Sequence, residues 1–66
     1  MFDEYDSVET TEALEPDIPA GTRGAIVMVY PSEPAEYEVE FVDGDGRTLA
    51  VRTVEEWKLR RADGAD

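Results

Sequence analysis

The stretch Tyr37-Glu38-Val39-Glu40-Phe41-Val42-Asp43-Gly44-Asp45-Gly46-Arg47-Thr48-Leu49-Ala50-Val51 decides how this chain is read. Tyr37, Val39 and Phe41 alternate with Glu38 and Glu40. Such alternation marks a strand with one buried face, because successive side chains leave a strand on opposite sides. Arg47 to Val54 repeats it, with Leu49 and Val51 expected inward and Thr48, Ala50 and Arg52 outward. The two runs are joined by Asp43-Gly44-Asp45-Gly46, whose glycines supply the positive φ that a hairpin turn needs. Residues 37–54 therefore read as a β-hairpin.

Working outward, Gly24 to Tyr30 is a third strand, apolar at every position after Gly24 and expected to be covered on both faces or to lie across the core. Asp6 to Thr11 is a weaker first strand whose one strong apolar residue is Val8. Turn signals at Glu15-Pro16-Asp17, Pro19-Ala20-Gly21 and Pro31-Ser32-Glu33-Pro34 punctuate these runs. Past the hairpin, Thr53-Val54-Glu55-Glu56 matches the Thr-x-x-Glu capping box, which predicts a helical turn carrying Trp57. Trp57-Lys58-Leu59-Arg60 alternates again as a short last strand, with Trp57 and Leu59 facing the core. The expected core is Val8, Leu14, Ile18, Ile26, Met28, Val39, Phe41, Leu49, Val51, Trp57 and Leu59. Short strands at this spacing, with a helical turn before the fifth, predict an all-β fold: a small five-stranded SH3-like barrel. It is expected to occupy residues 5–61 as a single domain, with 1–4 and 62–66 as frayed ends.

Composition narrows the function. A chain of 66 residues holds one small core, and its stability should be only about 3–5 kcal/mol. There is no Cys and no His, so disulfides, structural zinc and the common catalytic triads and dyads are excluded. Paired carboxylates are plentiful, but a domain this small has no cleft in which to shift their pKa values. No catalytic residue, metal site or cofactor is expected. Asp43-Gly44-Asp45-Gly46 resembles the start of a calcium loop, yet Arg47 and Val54 stand where further ligands belong, and a hairpin turn is the better reading. The acidic start Met1-Phe2-Asp3-Glu4 has no signal-peptide pattern, and the longest apolar run, Ala25 to Tyr30, is too short to span a bilayer. A cytoplasmic protein without membrane contact is expected.

Seventeen acids face six bases, a net charge of −11. Residues 1–46 carry thirteen acids and one base, Arg23, whereas residues 47–61 carry five bases against Glu55 and Glu56. The acidity fits solubility, adaptation to a high-salt cytoplasm (Arg outnumbers Lys five to one), or a partner with a basic surface. Glu36, Glu38 and Glu40 form an acidic ladder on one strand face, either a solvated surface or a contact for that partner. Tyr30 and Tyr37 flank the Pro31–Pro34 loop and are candidate partner contacts, or else covers for the barrel ends. Phosphate or RNA contact would fall to Arg23, Arg52, Lys58, Arg60 and Arg61; the alternative is pairing with acids such as Glu55 and Glu38. Gly21-Thr22-Arg23-Gly24 reads either as an anion cradle or as a tight turn.

The order Pro19-Ala20-Gly21-Thr22-Arg23-Gly24-Ala25-Ile26-Val27, then Tyr37-Glu38-Val39-Glu40-Phe41-Val42-Asp43, then Gly46-Arg47-Thr48-Leu49-Ala50-Val51, resembles a family of small uncharacterised prokaryotic proteins, domain-of-unknown-function family four-nine-two-six. The resemblance runs from about Tyr5 to Arg60. Its Gly-x-x-Gly-x-Ile turn is also similar to the KOW motif of ribosomal and transcription-factor barrels, which supports the SH3-like expectation. The family's members resemble the small partner of two-gene modules. The resemblance and the charge together imply a non-catalytic interaction module, antitoxin-like or an accessory subunit, acting as a monomer or weak homodimer. A KOW-like RNA or ribosome-associated protein is the alternative, although the acidic body makes nucleic acid an unlikely partner.

Overall fold

Four of the five strands form where the period-2 runs and turn signals place them: β1 (Ser7–Thr10), β2 (Arg23–Tyr30), β3 (Glu36–Val42) and β4 (Thr48–Glu55). A 3-10 turn (Glu56–Lys58) then leads into β5 (Leu59–Arg61). The structure is a computed structural model and describes residues 1–62. The strands make one antiparallel sheet in the order β4-β3-β2-β1-β5. The sheet does not close: β4 and β5 are its two edges and do not pair.

The inner face carries the core. Val8, Ile26, Tyr37, Val39, Phe41 and Val54 pack there, with Leu59 from β5 and Ile18 from the long β1–β2 loop. The loop is pinned by Thr10, a fully buried residue whose hydroxyl donates to the Pro19 carbonyl (3.0 Å) and accepts the Thr22 N–H (3.2 Å). Burying a hydroxyl is costly unless it is bonded, and this one is bonded twice. The Asp43–Arg47 turn follows the hairpin expectation. The Gly46 N–H donates to the Asp43 carbonyl, Gly46 takes φ +82°, and the Asp43 carboxylate accepts the N–H groups of Asp45 and Arg47. This is a type I turn closed by a left-handed glycine.

Several expected core residues lie outside. Leu49, Val51 and Met28 are 48, 49 and 48% exposed. One mechanism moves all three. Val42 pairs Thr48 but Phe41 pairs Ala50, so Leu49 is an extra residue in β4. Without it, Leu49 and Val51 would face inward opposite Phe41 and Val39. With it, Ala50, Arg52 and Val54 take the inward positions. Ile26 pairs Val39 but Met28 pairs Glu38, so Val27 is an extra residue in β2, and Met28 turns outward. A β-bulge reverses every face beyond it, because the side-chain period is two.

The C-terminal expectations also change. No capping box forms: β4 continues through Thr53 to Glu55, the Thr53 hydroxyl donates to Glu38 instead, and Glu55 caps the 3-10 turn without a side-chain bond. Trp57 sits on that turn, 60% exposed, with the Lys58 ammonium 5.1 Å from its ring centroid, rather than in a strand facing the core. The first residues are not frayed. Phe2 is buried edge-on against Tyr37 (5.5 Å between ring centroids), and its N–H donates to the Tyr37 hydroxyl. At the other end Ala62 is buried, with its N–H bonded to the Ser7 carbonyl; the rest of the expected frayed end, residues 63–66, lies outside the described residues.

Candidate functional site

The outer face of the β2-β3-β4 sheet is the candidate site. Glu36, Glu38 and Glu40 project from its central strand, because their neighbours Tyr37, Val39 and Phe41 fill the core. Residues two apart along a strand lie about 6.7 Å apart, so the three carboxylates form an evenly spaced row. Cross-strand pairing sets Ala25, Met28 and Tyr30 on one side of this row, and Val51, Thr53 and Glu55 on the other. Two of its three members are held by hydroxyls. Tyr30 and Thr53 both donate to Glu38, at 3.2 and 2.7 Å, and Thr48 donates to Glu40 at 2.5 Å. Desolvation, reinforced by the hydrogen bond to Glu38, pushes the Tyr30 phenol above its ordinary pKa, so Tyr30 stays a donor.

No cation neutralises the row. Among the described residues, Glu36, Glu38 and Glu40 make no ion pair. Glu36 even stands opposite Glu55 on the same face, a like-charge cross-strand pair of the destabilising kind. Four of the six bases are spent elsewhere. Arg60 pairs with Glu9 (3.0 Å), Arg61 with Asp6 (3.1 Å), Lys58 with Glu55 (3.6 Å) and Arg52 with Asp17. The C-terminal basic strip is thus committed to acids, though Glu38 is not among them. Arg23 makes no ion pair among the described residues and stands on the outer face of the adjacent strand β2, two residues beyond Ala25, the partner of Glu40. There Ser7, Arg23, Ala25, Glu40, Val42 and Leu49 help to line an open depression of about 920 Å³.

Tyr37 is not a partner contact. It is fully buried, and its hydroxyl accepts the Phe2 N–H and donates to Glu56 (3.4 Å). Tyr30 does share the outer face. The residues that sequence reasoning missed on this face are Met28, Leu49 and Val51, which it assigned to the core.

The Gly21–Gly24 segment serves geometry. Gly21 takes φ +82°, and a Cβ on Gly24 would lie 2.7 Å from the Glu40 carbonyl oxygen. These are two separate demands that only glycine meets. The family model described as Domain of unknown function (DUF4926) matches residues 4–61. The chain belongs to that family. The match takes in every strand of this DUF4926 domain, including both bulges and the acidic row. No curated protein and no solved structure matches the chain. No helix among its described residues is long and apolar enough to cross a membrane.

Proposed function

We propose that this DUF4926 domain is a non-catalytic interaction module whose acidic outer face binds a protein partner with a basic surface, as an antitoxin-like protein or accessory subunit does. The carrying observation is the unneutralised row Glu36-Glu38-Glu40, in which hydroxyls fix Glu38 and Glu40 while four of the six bases are engaged elsewhere. An acidic surface kept only for solubility has no use for flanking apolar side chains. Here Met28 and Val51 border the row, and both reach it through bulges. Carboxylates for rate and selectivity beside apolar area for affinity are the usual contents of a binding surface. The row fits Arg or Lys side chains about 6–7 Å apart, as on alternate residues of a strand or one turn apart on a helix.

The strand order β4-β3-β2-β1-β5, with a 3-10 turn before the last strand, also supports the SH3-like reading of the fold. The test is affinity capture from RNase-treated native lysate, wild type beside E36Q/E38Q/E40Q. A protein held by the wild type and lost by the triple variant supports the proposal. Equal retention by both refutes the acidic face. Recovery that occurs only without RNase supports the RNA reading instead.

A further inference from the structure

We infer that the free edge of β4 pairs with the same edge of a second copy of this chain, antiparallel and centred on Val51. β4 ends the sheet, and among the described residues no hydrogen bond reaches the backbone of Thr48–Glu55 from any element except β3. Natural edges are normally blunted by shortness, proline, lysine or a bulge. This one is eight residues long and contains neither proline nor lysine. Its bulge lies at Leu49, near one end, which leaves Ala50–Glu55 regular. The inward-side charge, Arg52, is already held by Asp17 and the Glu15 carbonyl.

Charge favours a second copy at this edge rather than on the faces. A chain of net charge −11 repels itself over most of its surface, and the ladder on β3 would meet a like ladder. Residues 47–55 hold Arg47, Arg52 and Glu55, a sum of +1. Register then selects the centre. Residues directly opposite in a continuous antiparallel sheet share a face, so a two-fold axis must pass through a residue pair of the same kind. Centring on Arg52 opposes two guanidinium groups. Centring on Thr53 sets Val51 against Glu55. Centring on Val51 joins two half-exposed valines and sets Ala50 against Arg52; the Leu49 bulge ends the regular pairing there, and the hairpin end that carries Arg47 of each copy lies near Glu55 of the other without sharing its pairing. The two glutamate rows would then lie three strand spacings apart, about 14 Å, on one continuous face.

The experiment is sedimentation equilibrium of the full chain in 0.15 M KCl, where the Debye length is about 8 Å, from about 10 μM to 1 mM protein. The expected result is a concentration-dependent monomer–dimer equilibrium. R47E and E55R should each weaken it about fivefold, because each brings two pairs of like charges near one another at the ends of the seam. R47E/E55R should restore it to within about twofold. V51K, which sets two ammonium groups at the axis, should abolish it. If V51K does not fold, as judged by circular dichroism, the charge-swap set decides alone. A monomer up to 1 mM overturns the inference, as does a dimer indifferent to R47E or one that R47E/E55R fails to restore.

Discussion

Gly24→Ala should be among the most damaging single-methyl changes in this domain. Gly24 is buried in β2 opposite Phe41, and an added Cβ would lie 2.7 Å from the Glu40 carbonyl oxygen, 2.8 Å from Val39 Cγ1 and 3.0 Å from Phe41 Cδ1. The valine methyl can rotate away. The carbonyl belongs to the central strand and cannot move without opening the β2–β3 ladder. Overpacking of this kind costs about 1–3 kcal/mol, and a backbone contact puts the estimate at about 2–3 kcal/mol. Alanine's small advantage over glycine in a strand offsets less than about 1 kcal/mol of that. A domain of this size has only about 3–5 kcal/mol to lose. At about 4–8 °C per kcal/mol, Tm should fall by roughly 10–20 °C. Thermal and urea melts followed by circular dichroism measure it. Gly44→Ala is the control: no atom lies within 4 Å of its added Cβ and its φ is not positive, so stability should stay within about 0.5 kcal/mol. If G24A melts within about 3 °C of G44A, the steric account of the second glycine in Gly-x-x-Gly is wrong.

Met28→Ala and Val51→Ala should each change stability by less than about 0.5 kcal/mol, whereas Val54→Ala, at a buried position, should cost about 2 kcal/mol; urea melts of the three separate outer face from core. E36Q/E38Q/E40Q moves the net charge from −11 to −8 and relieves the row's self-repulsion, so its Tm should rise by a few degrees even as partner retention falls. The wild-type Tm should climb with added KCl, and the climb should be shallower in the triple variant; parallel slopes would disconnect the salt response from the row. On the acid side, the backbone N–H of Asp3 and the nearby Arg61 hold the Asp6 carboxyl below its ordinary 3.8, and the Met1 amino group holds Glu56 below 4.5. A depressed carboxyl contributes stability above its unfolded value and loses it as pH falls through the folded one. Stability should therefore decline below about pH 4.5. Asp6→Asn should melt lower at pH 7 and show a shallower decline; an unchanged pH profile refutes Asp6's share.

The alternation in residues 37–42 was legible because β3 contains no irregularity. Once Val39 and Phe41 are buried, Glu36, Glu38 and Glu40 have only one side to occupy, and the row follows from period alone. The same logic, applied strictly, buries Tyr37, so the buried tyrosine was readable as well. β4 and β2 defeated it for a specific reason. Alternation gives the period of a strand but not its phase once a residue is inserted, and nothing in the types of Val27 or Leu49 announces that each is the unpaired one. The rule that apolar residues go inward then chose the wrong phase, because the inserted residues had carried Met28 and Val51 to the surface. The ion pairs of the basic strip were hidden for another reason: Arg61–Asp6 and Arg60–Glu9 span 55 and 51 residues, and local sequence holds no record of such distances. Both failures bear on the candidate site. Bulges at sheet positions re-aim side chains, and here two of them supply the apolar flanks of an acidic row that the long-range ion pairs leave without cations. Under the binding proposed for this face, recognition rests on two inserted residues as much as on three glutamates. Deleting Leu49 alone, which returns Thr48 and Ala50 to consecutive pairing with Val42 and Phe41, should leave Val51 outward and Val54 inward and remove only the exposed leucine of the bulge. A Met28→Ala/Val51→Ala chain that folds and still holds its partner as tightly as the wild type would show that the carboxylates suffice without their apolar flanks.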